Sequence, residues 1–296
     1  MRGRMDTDSP PRIIPSFAEL APRYDLILCD VWGVLHNGAL ASQAAAHALA
    51  RARAAGATVI LVSNAPRRPE GVARILDGFG IARDAYDAIV TSGMVTSALL
   101  AGRPGVKLWH LGPERDLGIY YGLDLSLVSL DEAELIVCTG LFDDTVETPD
   151  DYAEALAAAR GRALPFICAN PDIVVERGGD LIWCAGALAE AYIARGGEVV
   201  FCGKPHAPIY ETAFATAASL RGAAVERSRT LAIGDALRTD LAGALGVGID
   251  CLLVAAGIHA GELGLEHGVE VDPRALALLL AGGPGHPVAV TTRLAW

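Results

Sequence analysis

Tyr24-Asp-Leu-Ile-Leu-Cys-Asp-Val-Trp-Gly-Val-Leu-His-Asn-Gly38 decides how the rest of the chain is read. Its first half is a short apolar run ending on a carboxylate, Asp30. Its second half is a turn carrying two glycines. A short apolar run bounded by a turn fits a strand buried on both faces, as in a parallel sheet. The glycines let the backbone bend sharply and approach a ligand closely. Taken alone, a strand-terminal Asp is more often a helix cap or turn residue.

Working outward, the rhythm repeats. A helical stretch over 42–55 stops at Gly56, a buried strand is expected over 58–63, and a helix over 69–78. A third strand over 88–91 leads into a helix near 94–100. This βαβαβ pattern predicts an α/β fold with a Rossmann-like parallel sheet core and helices on both faces. The rhythm resumes with strands over 198–203, 230–234 and 250–255 and helices from 208 and over 239–245. Between the two stretches lie other strands (107–111, 135–138, 165–168) and helices (149–160, 185–195). The chain is therefore expected to divide into a core, 1–102 and 201–296, and a separate α/β domain, 103–200, inserted into it. A length of 296 residues suits two such domains.

Composition narrows the class of partner. Hydrophobic residues make up 52% of the chain and charged ones 20%, so there is ample material for a core. A formal charge of −11 repels nucleic-acid phosphates and anionic membrane surfaces, so neither is expected as a partner. A small phosphorylated ligand needs only a local electropositive pocket. The six cysteines show no Cys-x-x-Cys spacing and lie mostly in or at the ends of strand-like runs, which fits buried, reduced thiols and a cytoplasmic location. Arg2 and Arg4 are followed by acids and prolines rather than an apolar signal region. The apolar run 275–281 is far too short for a membrane span.

In a parallel α/β sheet, ligands bind beyond the carboxyl ends of the strands. Three further segments stand there. Ser63-Asn64 offers a hydroxyl and an amide that can donate to phosphate oxygens, or can simply cap the next helix. Gly203-Lys204-Pro205 supplies one of the only two lysines in the chain, a compact charge suited to a phosphoryl group. Gly234-Asp235-Ala-Leu-Arg-Thr-Asp240 places two carboxylates five residues apart, which suits Mg²⁺ or a helix cap followed by a first-turn acid. The Gly-x-Gly-x-x-Gly fingerprint of a nicotinamide-binding enzyme is missing after Asp30, which removes that reading.

In this order, together with Thr91-Ser92-Gly93 and Ala169-Asn170-Pro171-Asp172, these segments resemble the haloacid dehalogenase superfamily of aspartate-nucleophile hydrolases. The insertion resembles the cap of its class IIA branch, which includes nucleotide, p-nitrophenyl and pyridoxal phosphatases. The resemblance implies that Asp30 attacks phosphorus, that Ser63, Asn64 and Lys204 hold the phosphoryl group, and that Asp30, Asp235 and the carbonyl of Trp32 ligate Mg²⁺. Asp240 would orient the metal's waters or Lys204, and the cap residues Asn170 and Asp172 would face the substrate.

One position departs from that pattern. The superfamily's phosphatases usually carry Asp-x-Asp, the second Asp acting as general acid and base, and here Trp32 stands in its place. An indole N–H donates a hydrogen bond but cannot shuttle a proton. His36 and His206 are nearest in sequence to the motifs as substitutes. The expected function is a Mg²⁺-dependent phosphatase acting on a small organic phosphate through an aspartyl-phosphate. The rival is a catalytically weakened protein that binds or senses a phosphorylated metabolite. The substrate's identity and the oligomeric state stay open at this level, a homodimer being one compatible assembly.

Overall fold

A computed structural model describes residues 11–265 and 270–296; the Arg2 and Arg4 start lies outside the described residues. The chain divides into two compact units, one of Met1–Val62, Asp77–Ala88 and Ala213–Trp296, the other of Ser63–Leu76 and Ile89–Thr212.

The α/β expectation is met. A seven-stranded sheet runs in the order Arg12–Ile13, Ala289–Thr291, Asp250–Val254, Thr230–Gly234, Leu26–Cys29, Thr58–Ser63, Ala88–Thr91. The pairings from the first of these through Thr58–Ser63 are parallel. The strands Leu26–Cys29, Thr58–Ser63 and Thr230–Gly234 are buried at every residue, which is why they read as continuous apolar runs. Leu26 pairs with both Thr230 and Thr58, so the strand leading to Asp30 is flanked by the strands leading to Asp235 and Ser63.

Helix boundaries follow local chemistry. Helix Gln43–Ala54 starts where Ser42 Oγ accepts the Ala45 N–H, and Ser92–Ala101 starts where Thr91 Oγ1 accepts the Met94 N–H. Pro69–Gly78 opens on the proline, whose fixed φ suits the first turn. The helix expected over 239–245 is different in kind. Leu237–Leu241 is a π-turn, and a regular helix begins only at Ala242–Val247.

The second unit has its own parallel sheet, in the order Val199–Phe201, Phe166–Cys168, Leu135–Cys138, Val106–Leu111, Leu125–Leu127. Its core joins Ile136, Cys138, Leu156, Phe166, Leu188 and Tyr192. An antiparallel hairpin, Val174–Arg177 with Asp180–Trp183, turns on Gly178 and Gly179, both at positive φ. All six cysteines are buried and free. Among the described residues no helix is long and apolar enough to cross a membrane.

Candidate active site

Three carboxylates converge in the first unit. Asp30 leaves the Leu26–Cys29 strand with its N–H donating to the Ile233 carbonyl of the neighbouring strand (2.8 Å). Asp235 leaves the Thr230–Gly234 strand, and Asp240 sits on the π-turn that follows, its Oδ2 accepting the Ala236 N–H (3.2 Å). Extra residues in a helical turn redirect side chains, and such turns recur at functional sites. One carboxylate oxygen from each of the three lies within 4.8 Å of the others. Asp30, Asp235 and Asp240 are 8%, 5% and 3% exposed.

The backbone around them leaves no room for side chains. A Cβ on Gly33, which lies at φ +83°, would overlap the Asp235 carboxylate, and one on Gly234 would overlap that of Asp240. The turn at Gly257-Ile258 also packs on Asp235, the Ile258 N–H donating to Oδ2 at 2.7 Å. Sequence reasoning passed over this turn, although its place beyond the Asp250–Val254 strand marks it as ligand-facing.

Three buried carboxylates this close repel one another. At an effective dielectric of ~20, each pair repels by roughly 3 kcal/mol. A bound cation would offset that, and a set of hard oxygen donors suits Mg²⁺ or Ca²⁺ better than a softer metal. The donor set therefore fits the metal that the sequence motif implies.

Trp32, two residues after Asp30, is half-buried. Its indole meets the His36 ring edge to face (centroids 4.9 Å, 70°), and His36 stacks on Phe79 (4.8 Å, 21°). His36 Nδ1 accepts the Gly38 N–H (3.1 Å), so the neutral ring carries its proton on Nε2. Burial pushes the His36 pKa down to about 4. Phe79 escaped the sequence reading because its partner lies 43 positions earlier, with no periodicity to link them.

A second constellation lies in the other unit. Ser63 Oγ accepts the Ala65 N–H (3.2 Å), closing the turn after the strand. The Asn64 side chain is engaged on both ends. Its Oδ1 accepts the Lys204 N–H (2.7 Å), and its Nδ2 donates to the Lys204 carbonyl (3.1 Å) and to Asp172 Oδ1 (2.9 Å). Lys204 is 3% exposed. The loop after Asn64 is tied down by its neighbours: the Ala65 carbonyl accepts from the Ser92 hydroxyl (3.0 Å) and the Gly93 N–H (3.2 Å), and the Arg67 carbonyl from Thr91 Oγ1. Asn170 turns its Oδ1 onto the Asp172 N–H (3.2 Å). His206 stacks flat on Phe201 (4.6 Å, 3°), and burial lowers its pKa.

The sequence pattern of haloacid dehalogenase-like hydrolases matches residues 27–124, and a second, HAD-hydrolase-like pattern matches 201–276. A crystal structure of a haloacid dehalogenase-like hydrolase from Brucella suis 1330 is 48% identical, with a TM-score of 0.85 over 95% of this chain and 99% of that one. The chain belongs to the haloacid dehalogenase-like hydrolases. A relative described as D-glycerol 3-phosphate phosphatase, from Mycobacterium tuberculosis, is 30% identical over 81% of this chain. The match spans 65% of that relative's own length. The glycerol phosphate phosphatase of the same organism, solved in complex with magnesium, is 26% identical, with a TM-score of 0.63 over 86% of this chain and 77% of that one.

Proposed function

We propose that this hydrolase is a Mg²⁺-dependent phosphatase of small organic phosphates, working through an aspartyl-phosphate on Asp30. The observation that carries the proposal is the convergence of Asp30, Asp235 and Asp240 within 4.8 Å, at and beyond the carboxyl ends of adjacent parallel strands. The relatives' names, which specify glycerol phosphates, support a small phosphate ester as substrate.

In this reading a carboxylate oxygen of Asp30 bonds to phosphorus as the bond to the leaving oxygen breaks. Water then hydrolyses the acyl phosphate, returning the carboxylate and releasing inorganic phosphate. Ser63 donates its hydroxyl proton to a phosphoryl oxygen. Because the Asn64 side chain is committed to Lys204 and Asp172, its contact with phosphate is assigned to its backbone N–H. Lys204 neutralises charge that builds on the phosphoryl group. Asp30, Asp235 and the Trp32 carbonyl would hold Mg²⁺, with Asp240 orienting its waters, and the ion would offset the charge of nucleophile and phosphate. The insertion over 103–200 is the cap that selects the substrate, and the buried free thiols support a cytoplasmic setting.

Trp32 favours one alternative, a binding protein with little turnover. With its Nδ1 bonded and its pKa pushed down to about 4 by burial, His36 is neutral near pH 7 and is a poor proton donor. The deciding measurement is hydrolysis of p-nitrophenyl phosphate with Mg²⁺, with chelator, and by Asp30→Asn. Mg²⁺-dependent turnover that falls about 10⁴–10⁶-fold in the variant supports the phosphatase. Full activity in excess chelator would remove it, and tight phosphate-ester binding without turnover would favour the alternative.

A further inference from the structure

Asp172 and Asn64 make an arrangement whose effect on Lys204 the mechanism above does not use. The Asn64 amide pairs with both backbone groups of Lys204, as a neighbouring strand would, 140 positions away in sequence. An amide can do this only in one of its two flipped orientations, because the oxygen must face the Lys204 N–H and the nitrogen its carbonyl. The Asp172 carboxylate, at 2.9 Å from Nδ2, selects that orientation, since an ionised carboxylate accepts and cannot donate.

Asp172 is itself immobilised. Its N–H is held by Asn170 Oδ1, and its carbonyl accepts the Gly186 N–H at 3.0 Å. Gly186 is packed so closely against the Pro171 and Asp172 backbone that a Cβ would overlap both carbonyls. On the other side, a Cβ on Gly203 would overlap Asn64 Oδ1 and crowd the Pro171 ring. The Gly203-Lys204 backbone is thus enclosed by Asn64 and Pro171, and Asn64 is locked by Asp172.

From this geometry we infer that Asp172 and Asn64 are positioning residues for Lys204: Asp172 fixes the Asn64 amide, and the amide fixes the backbone from which the lysine side chain projects. Asp172 therefore acts on turnover through Lys204 rather than by contacting substrate. The inference rests on the catalytic role proposed above for Lys204. A cation displaced by a fraction of an ångström stabilises the transition state less while still attracting the substrate, so the signature is a loss in kcat with little change in KM.

The experiment uses the full chain with Mg²⁺ and p-nitrophenyl phosphate, with thermal unfolding of each variant as the folding control. Asn64→Asp keeps the acceptor for the Lys204 N–H but sets a carboxylate against Asp172, and should lower kcat by about 100-fold. Adding Asp172→Asn lets the new amide donate to the new carboxylate, and should recover at least about tenfold of that loss. Asp172→Ala alone should lower kcat about tenfold with KM within about threefold. It carries the test by itself if Asn64→Asp does not fold. A double variant no better than Asn64→Asp, or an Asp172→Ala variant changed in KM and not in kcat, would overturn the positioning role. Lys204→Ala separates the two layers. If it is as active as wild type, the reading on which the inference rests fails. If it is inactive while Asp172→Ala is unaffected, only the inference fails.

Discussion

The carboxylate cluster and the Lys204 cradle are both buried polar constellations, yet they are assembled by opposite means. In the first, three like charges are brought together by the backbone: strand ends, a π-turn, and glycines where any Cβ would collide. In the second, one lysine is enclosed by a lattice of side-chain hydrogen bonds, with Asn64 and Asp172 each spending polar atoms on holding a neighbour. A cluster of like charges is suited to a cation. A satisfied lattice stores only shape. Removing a charge should therefore relieve the first in the absence of a cation, whereas crowding the second should destabilise it with or without one.

The largest expected effect comes from adding a fourth carboxylate to the first region. Trp32→Asp supplies an acid two residues after Asp30, the proposed nucleophile, at the position where the family resemblance implies one. Without an acid in wild type, rates should fall steeply as the leaving-group pKa rises. The variant should flatten that slope and raise alkyl phosphate turnover by up to about 10²–10⁴-fold. It also removes an edge-to-face contact with His36, worth about 1 kcal/mol, so the melting temperature should be measured alongside. A wild type already insensitive to the leaving group would show that another acid is present.

The next contrast is in stability. Asp235→Asn keeps an acceptor for the Ile258 N–H while removing one of three repelling charges, so in chelator its melting temperature should rise by about 2–5 °C. Mg²⁺ should then stabilise wild type more than the variant. Gly203→Ala should instead destabilise the protein with or without Mg²⁺, by about 1–3 kcal/mol of overpacking, because the intruding methyl meets Asn64 and Pro171. If Asp235→Asn loses stability in chelator, the cluster is compensated from within and the comparison fails.

That difference also explains what could be read from the chain. The strands leading to Asp30, Ser63 and Asp235 were legible because burial on both faces writes a continuous apolar run. Asp30, Asp235 and Asp240 were legible as a possible set because they fall at or just after strand ends. The π-turn was not, since nothing in Leu-Arg-Thr-Asp-Leu separates it from an ordinary helix start. The hairpin at 174–183 was overlooked although Gly178-Gly179 is a recognised turn signal. The pairing of Asn64 with Lys204 spans 140 positions and involves one side chain and one backbone, a contact that leaves no periodic trace.

The smallest expected effect concerns the stacked histidine beside the cluster. His36 titrates at about 4 when folded and near 6.5 when exposed in the unfolded chain. Between those values the unfolded state binds more protons, so stability falls as pH drops through 6.5 toward 4, and the loss is complete below about 4. This one group can account for at most about 3 kcal/mol. His110, whose pKa burial also lowers, adds in the same direction. His36→Asn removes the titration while offering an oxygen in place of Nδ1 to the Gly38 N–H. Its melting temperature should therefore decline less than that of wild type between pH 6.5 and 4, although the lost stacking on Phe79 lowers it at neutral pH. Parallel melting curves across that window would mean that His36 is reached by water in solution. The Trp32–His36–Phe79 stack would then be looser than the 4.9 and 4.8 Å separations imply.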